Sequence, residues 1–322
     1  MRVTQNAFPN QLKYQLGELT SKQALLQRQA ATGQRIEKPS DNPLSMRKTL
    51  DWQNELKSLS QYQENSYRLR EALDASYSTI SQMKKVSDRV SEIAILADGS
   101  KGPAALGAYA SEVNQMLEHA VQLANTKHSS GYLFGGTKSA QPPVATTRDG
   151  AGKITSMAYQ GTSSVPQYDV AQGTSLSIHF PGGNSTGSGN IGILQDSRYG
   201  SDFITHLIQL RDSLDTATAS TGTTTGAAAL ATIKDTIQSK LEKDESAFID
   251  IFSIVGAVQS RLESATKVAQ LRAQAIDPLI SREADADLAE TLVRLNEIQN
   301  AYSAALKSGS SILNTSLLDY LR

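Results

Sequence analysis

Residues 61–97 read QYQENSYRLREALDASYSTISQMKKVSDRVSEIAILA, and their reading decides the fold. Leu69, Leu73, Ile80, Met83, Val90, Ile93 and Ala97 follow one another at steps of 4, 7, 3, 7, 3 and 4. That is the spacing of one apolar seam on a helix packed in heptad register. Nothing nearby stops the helix: no glycine occurs between Gly33 and Gly99, and no proline between Pro43 and Pro103. The pattern predicts a helix of about 55 residues, on the order of 80 Å long. Pro39-Ser40-Asp41-Asn42-Pro43 supplies the start, because capping side chains ahead of a proline in the first turn suit a helix entry. A second helical run is expected from about Val113 to Lys127.

A long helix with one narrow apolar stripe cannot bury it alone, and such helices gain most of their stability from packing. Only residues 227 to 307 offer a partner of comparable length. There Ile251, Val255, Val258 and Leu262 repeat at 4, 3 and 4, and Leu288, Leu292, Leu295, Tyr302 and Leu306 at 4, 3, 7 and 4. Interruptions are expected at Gly256, Pro278 and Gly309. The predicted fold class is therefore mainly α: a long antiparallel coiled-coil rod made from N- and C-terminal helices, with a small β-rich domain inserted in the middle. Fifteen of the 22 glycines fall between Gly131 and Gly226, where helical periodicity fades. Ile154 to Tyr159, Val165 to Val170 and Leu176 to Phe180 read as short strands. A helix near Ser201 to Leu214 and a flexible segment from Ser220 to Gly226 follow them. The expected divisions are 1–40, an N-terminal assembly helix; 41–136, the N-terminal half of the rod; 137–226, the inserted β-rich outer domain; 227–285, the C-terminal half of the rod; and 286–322, a C-terminal assembly helix.

The extreme ends carry a further stripe, Leu12, Leu16, Leu19, Leu26 and Ala30, with Gln23 filling a gap. Two helices joined along such a seam, polar outside and lacking a third layer, bury too little to be stable alone. They are expected to order against copies of the same chain or a related protein. The candidate assembly interface is Leu12, Leu16, Leu19 and Leu26 with Leu292, Leu295, Leu306, Leu313 and Leu317. Arg35 and Asp41, and Asp285 and Glu290 near the tail, are candidates for polar contacts that fix the register.

Composition removes other classes. The 322 residues hold 31 Lys and Arg against 32 Asp and Glu and no cysteine, which excludes disulfide scaffolds, Cys-ligated metal sites and thiol catalysis. The N-terminus has no apolar core of a signal peptide, so no cleaved Sec signal is expected, and no stretch reaches membrane-spanning length. Residues 1–50 carry eight basic and three acidic side chains. A nucleic-acid-binding coiled coil is thus a remote alternative, but the cations are spread among Gln, Asn and Leu, not bunched. Neither nucleic acid nor membrane is an expected partner.

Gly187 to Gly192 satisfies G-x-G-x-x-G, with Asp212 about twenty residues on, yet no continuous apolar strand leads into it. Gly183-Asn184-Ser185-Thr186-Gly187 satisfies G-x-S-x-G, but no helix follows Ser185, and His206 lacks an acidic partner of defined place. His119, His128, His179 and His206 include no i, i+4 pair. Asp285 and Asp287, two apart, face different ways on a helix and cannot form a catalytic dyad. Trp52 and the helical tyrosines read as packing groups. No catalytic residue, cofactor or metal is expected.

Three motifs in order resemble one family. Ala31-Thr32-Gly33-Gln34-Arg35-Ile36 followed by Pro39-Ser40-Asp41-Asn42-Pro43 resembles the N-terminal signature of bacterial flagellins and flagellar hook-associated proteins, with Asn42 in place of a second Asp. Asp285-Ala286-Asp287-Leu288-Ala289-Glu290 is similar to the family's C-terminal element, and Gly131-Tyr132-Leu133-Phe134-Gly135-Gly136 to its junction with the variable domain. The resemblance implies a secreted structural subunit of the bacterial flagellum, exported unfolded through the type III apparatus. Its partners would be copies of itself, neighbouring hook-associated protein and flagellin, and an export chaperone. The short insertion, the junction motif and the terminal Ser316 to Leu321 look most like the subunit joining hook to filament, with filament-forming flagellin the alternative. Arg89-Val90-Ser91-Glu92-Ile93-Ala94 departs from the family's receptor-read patch at Ser91.

Overall fold

The structure, a computed structural model, describes residues 7–129, 131–177 and 180–320, with side chains described over the same ranges from 10 to 310. Helices dominate: α1 (Ala7–Thr32), α2 (Pro43–Leu96), α3 (Pro103–Ala124), α4 (Phe203–Ala219), α5 (Thr224–Thr232), α6 (Gln238–Ala284) and α7 (Leu288–Tyr320). Between α3 and α4 lie β1 (Lys127–His128), β2 (Gly131–Tyr132), β3 (Val144–Arg148), β4 (Ile154–Tyr159), β5 (Tyr168–Ala171), β6 (Thr174–Leu176), β7 (Gly183–Asn184), β8 (Gln195–Asp196) and β9 (Ser201–Asp202). They form three antiparallel hairpins, β1–β2, β3–β4 and β5–β6, and a three-stranded sheet in which β8 pairs parallel to β7 and antiparallel to β9. The chain is mainly α with a small β-rich insertion.

Two compact units are present: residues 1–59 with 271–322, and residues 60–270. In the larger unit, every apolar residue read as the α2 seam is buried. Ser66, Ser76 and Ser87 fill the intervening heptad positions, also buried. Opposite them α6 buries Phe248, Ile251, Val255 and Leu262. Antiparallel register is fixed by Lys84 Nζ with Glu245 Oε1 at 3.5 Å and by the edge-on contact of Tyr77 with Phe252, centroids 5.4 Å apart. The core then extends through Leu106, Val113 and Leu117 of α3 and Phe203, Leu207, Leu210 and Leu214 of α4. Gln238 Nε2 donates to the Ala94 carbonyl at 2.9 Å and so caps the last turn of α2.

Three of the glycines after Leu133 serve one side chain. Tyr159 on β4 is hydrogen-bonded through its hydroxyl to the Phe134 carbonyl (2.9 Å), the Thr162 carbonyl (3.1 Å) and the Gly182 N–H (3.1 Å). A Cβ at Gly161, Gly182 or Gly183 would run into its ring or hydroxyl. Gly136, at φ +64, passes against the backbone of Thr162 and Ser164 where no side chain fits.

Several expectations need correction. α6 continues through Gly256 and Pro278, and α7 through Gly309. A glycine costs only about 1 kcal/mol in a helix, and a proline about 3, which the packing of so long a helix outweighs. One five-residue π-helical stretch, Ile233–Ile237, lies between α5 and α6 and buries Ile233 and Ile237. Of the segment 220–226, residues 220–223 are a turn and 224–226 open α5, which is capped by the Thr223 hydroxyl accepting from the Gly226 N–H at 3.2 Å. The strand expected from Val165 begins at Tyr168, and the one expected over Leu176 to Phe180 ends at Leu176, with Ile178 and His179 outside the described residues. The helix expected near Ser201 packs its buried face on α3.

Candidate functional site

The smaller unit holds the candidate interface, and it is organised around two breaks between helices. α1 ends at Thr32 because Gly33 takes φ +71, a conformation that closes a helix and strains any other residue. α6 ends at Ala284, three residues before α7. The two breaks clasp each other. Gln34 and Asp285 form an antiparallel bridge, the Arg35 N–H donates to the Ala284 carbonyl at 2.7 Å, and the Ala286 N–H donates to the Gly33 carbonyl at 2.8 Å. Arg35 Nη2 adds a bond of 2.7 Å to the Glu283 carbonyl, a free acceptor in the last turn of α6. Ile36 and Ala284 are buried beneath. Two of the three motifs that carry the family resemblance, those of residues 31–43 and 285–290, therefore touch.

Carboxylates tie each break locally. Asp41 Oδ2 accepts from the Glu37 and Lys38 N–H groups at 3.2 and 3.0 Å, and these bonds hold its carboxyl below the usual carboxylate range. Asn42 Oδ1 caps α2 by accepting from the Ser45 N–H at 3.1 Å, with Pro43 in the first turn. Asp285 is in the break and not on a helix; its Oδ2 accepts from the Ser281 hydroxyl at 2.7 Å. Asp287 Oδ1 caps α7 through the Ala289 and Glu290 N–H groups at 2.9 and 3.1 Å. Glu290 pairs with Arg294 one turn on, in solvent. Below the breaks, Ser45 Oγ and Lys48 Nζ both reach the Glu283 carboxylate, and Arg272 Nε meets Glu55 Oε1 at 2.7 Å.

From the clasp, α1 and α7 run together, antiparallel. Paired residues have numbers adding to 319 at Gly33/Ala286, Gln34/Asp285 and Arg35/Ala284, and to 321 at Leu12/Gly309. On α1 Leu12, Leu16, Leu19, Gln23, Leu26 and Ala30 are half-buried, as the heptad reading has them, and so is Gln29, whose side chain donates to the Arg35 carbonyl at 3.1 Å. On α7 the covered positions are Thr291, Leu295, Ile298, Tyr302, Ala305 and Gly309, at steps of 4, 3, 4, 3 and 4. Gly309 belongs there because Leu12 fills the space its side chain would need. The expected α7 stripe is thereby split. Leu295 and Tyr302 face α1, whereas Leu292, 50 % exposed, and Leu306, 45 % exposed, point away with Leu288 and Val293. The sequence reading missed Ile298, Ala305 and Gly309, although their spacing is the same heptad shifted by one residue. Leu313 and Leu317 lie outside the residues whose side chains are described.

The seam is thin. None of its α1 positions is fully buried. Among the described residues, ten of the seventeen exposed large apolar side chains belong to this smaller unit, among them Tyr14, Leu25, Leu44, Leu50, Leu271 and Leu279. So much uncovered apolar surface on a small unit makes it the candidate for an interaction face.

Elsewhere the rejected motifs keep structural roles. Arg198 donates to the Gly187 and Gly189 carbonyls at 3.1 and 3.0 Å and so braces the glycine turn. Ser185 lies exposed on a turn with no helix after it. His206 does have a defined acidic partner, contrary to expectation: its Nδ1 is 2.7 Å from Asp244 Oδ2, the pair buried between α4 and α6. Burial raises the Asp244 pKa, and the bond to His206 works against that rise. Arg89 is engaged by Glu112 at 2.7 Å and Glu92 at 2.6 Å. Among the described residues no helix is long and apolar enough to cross a membrane, and no cluster of His, Cys, Asp or Glu could hold a metal ion.

Residues 3–139 match the family model of the bacterial flagellin N-terminal helical region. Among solved structures, a protein assigned as a flagellar hook-associated protein of Vibrio parahaemolyticus is similar in fold, with TM-score 0.61 at 16% identity over 76% of this chain and 100% of that one. FlgL of Xanthomonas campestris gives 0.58 at 18% identity over 70% and 98%. Flagellar hook-associated protein 3 of Legionella pneumophila gives 0.57 at 16% identity over 77% and 98%. No curated protein matches in sequence. The N-terminal part of the chain, residues 3–139, is thus similar to the bacterial flagellin N-terminal helical region, and the chain shares its fold with these flagellar hook-associated structures.

Proposed function

We propose that this chain is a secreted structural subunit of the bacterial flagellum, without catalytic activity, that joins hook to filament by packing its terminal helices against copies of itself. Neighbouring hook-associated protein and flagellin would be its other partners, and an export chaperone would hold it before secretion. The observation that carries this reading is the α1–α7 ribbon, a seam covered on one side only, with Leu292 and Leu306 turned outward in the unit richest in exposed apolar side chains. Leu12, Leu16, Leu19, Leu26 and Leu295 would hold the ribbon while Leu292, Leu306, Leu313 and Leu317 face neighbours. Arg35 and Asp285 would set the register within the chain, and Asp41 and Glu290, whose bonds there are local, would set it only toward neighbouring copies. The domain divisions proposed are those of the sequence reading, from 1–40 to 286–322.

Electron microscopy of cells lacking the gene tests the assignment. Bare hooks with filament protein shed into the medium are the expected result. Loss of filament protein itself would mean filament flagellin, and intact filaments would overturn both readings.

A further inference from the structure

Glu283 stands one residue from the end of α6, in the last turn, where free carbonyls form the negative end of the helix dipole. A carboxylate is disfavoured there by its own helix. Its contacts lie on other elements. From α2, the Ser45 hydroxyl donates to Glu283 Oε1 at 2.5 Å, and Lys48 Nζ lies 3.9 Å from the same oxygen. From the break after α1, Arg35 Nη2 donates to the Glu283 carbonyl at 2.7 Å, while the Arg35 N–H takes the next carbonyl, that of Ala284, at 2.7 Å. Three segments of the smaller unit therefore meet at this residue.

The α2 side of the contact is built to receive it. Ser45 lies in the first turn of α2, is buried, and has its N–H capped by Asn42 Oδ1 at 3.1 Å. Its hydroxyl has no other partner among the described residues. Because the two helices are antiparallel, a carboxylate misplaced at the end of α6 is well placed at the positive end of α2, where a charge-assisted bond is strong. The other acids of the breaks behave differently. Asp41 and Asp287 bond N–H groups of their own break, Asp285 accepts from Ser281 on its own helix, and Glu290 pairs with Arg294 in solvent. Among these carboxylates, that of Glu283 is the one that joins the C-terminal break to α2.

We propose that Glu283 is the positioning residue of the clasp. Its carboxylate anchors the end of α6 on the first turn of α2. Its carbonyl, so fixed, receives Arg35 and holds Gly33, Gln34 and Arg35 within pairing distance of Ala284, Asp285 and Ala286. Glu283 acts through the backbone it holds and touches no neighbouring copy. The consequence for assembly rests on the reading that copies pack through the α1–α7 ribbon, whose register begins at this clasp.

The test is hydrogen exchange in the full-length chain at the Arg35 and Ala286 amides, which close the clasp, with amides between Leu73 and Ile93 as the internal control. Glu283→Ala and Ser45→Ala should each speed exchange at Arg35 and Ala286 about tenfold, the factor for one charge-assisted hydrogen bond, and leave the control unchanged. The double variant should be no faster than Glu283→Ala, since both remove one bond. Glu283→Gln, which keeps an acceptor for the Ser45 hydroxyl, should restore most of the protection. Sedimentation should show that Glu283→Ala needs about tenfold more protein to assemble. Unprotected clasp amides in the native chain, unchanged exchange in Glu283→Ala, equal acceleration of the control, or no rescue by Glu283→Gln would each overturn the positioning role and leave the assembly reading standing. An opened clasp with unaltered assembly overturns the dependence of the ribbon on it. A native chain that never sediments overturns the assembly reading, and the exchange result still decides the role of Glu283.

Discussion

Replacing Tyr159 by Phe removes a hydroxyl that binds Phe134, Thr162 and Gly182 from the centre of a glycine-walled socket. A cost of about 1–2 kcal/mol is expected, read as a lower denaturant midpoint. Gly182→Ala should cost more, about 2–3 kcal/mol, because the added methyl meets the ring and the Phe134 carbonyl. The socket was illegible in the sequence: its glycines stand among the fifteen between Gly131 and Gly226, Tyr159 reads as one residue of a strand, and only the fold shows that they serve each other. Asp41 behaves differently, since its role as a cap is local and the sequence announces it. Its carboxyl is held below the ordinary value, so its contribution to the turn is present above the unfolded pKa of about 4 and lost as pH falls through the folded one. Amide exchange at Glu37 and Lys38 should accelerate in that acid window in the native chain, and at neutral pH in Asp41→Ala.

At the scale of elements, α2 was legible almost to the residue because its seam is strictly periodic and its cap is explicit. α7 was not, because leucine is a poor guide when two apolar stripes share one helix. Leu288, Leu292 and Leu306 drew the eye to the outer stripe, while the seam itself is built with Thr291, Ala305 and Gly309, residues that let the backbones approach. The structure thus turns Gly309 from an expected break into a packing position. Gly309→Leu should force α7 off Leu12 and abolish ordered assembly, seen as loss of sedimenting polymer, whereas Gly17→Ala on the same ribbon, where nothing lies within reach of a new methyl, should leave assembly intact. Pro278 is the opposite case: it withholds an N–H from α6 without breaking it. Pro278→Ala should raise stability by about 1–3 kcal/mol, measured by thermal unfolding.

For the molecule as a whole, the two compact units differ in how they are held. The larger owns a continuous apolar core shared by α2, α3, α4 and α6; the smaller relies on half-covered seams and the clasp between its helix breaks. Amides of α1 and α7 in the isolated chain should therefore exchange at least about a hundredfold faster than those between Leu73 and Ile93, a gap of roughly 3 kcal/mol in local opening. The sequence revealed this contrast through its stripes but not the clasp, because Gln34 and Asp285 meet by backbone pairing, which leaves no side-chain signature. That pairing has an evolutionary corollary. With the two strands of the ribbon pinned together at Gly33 and Ala286, each is a ruler for the other: adding or deleting one residue between Leu12 and Thr32 would swing every position beyond it by about 100°, so drift in the length of one terminus is permitted only when the opposite terminus changes by the same count.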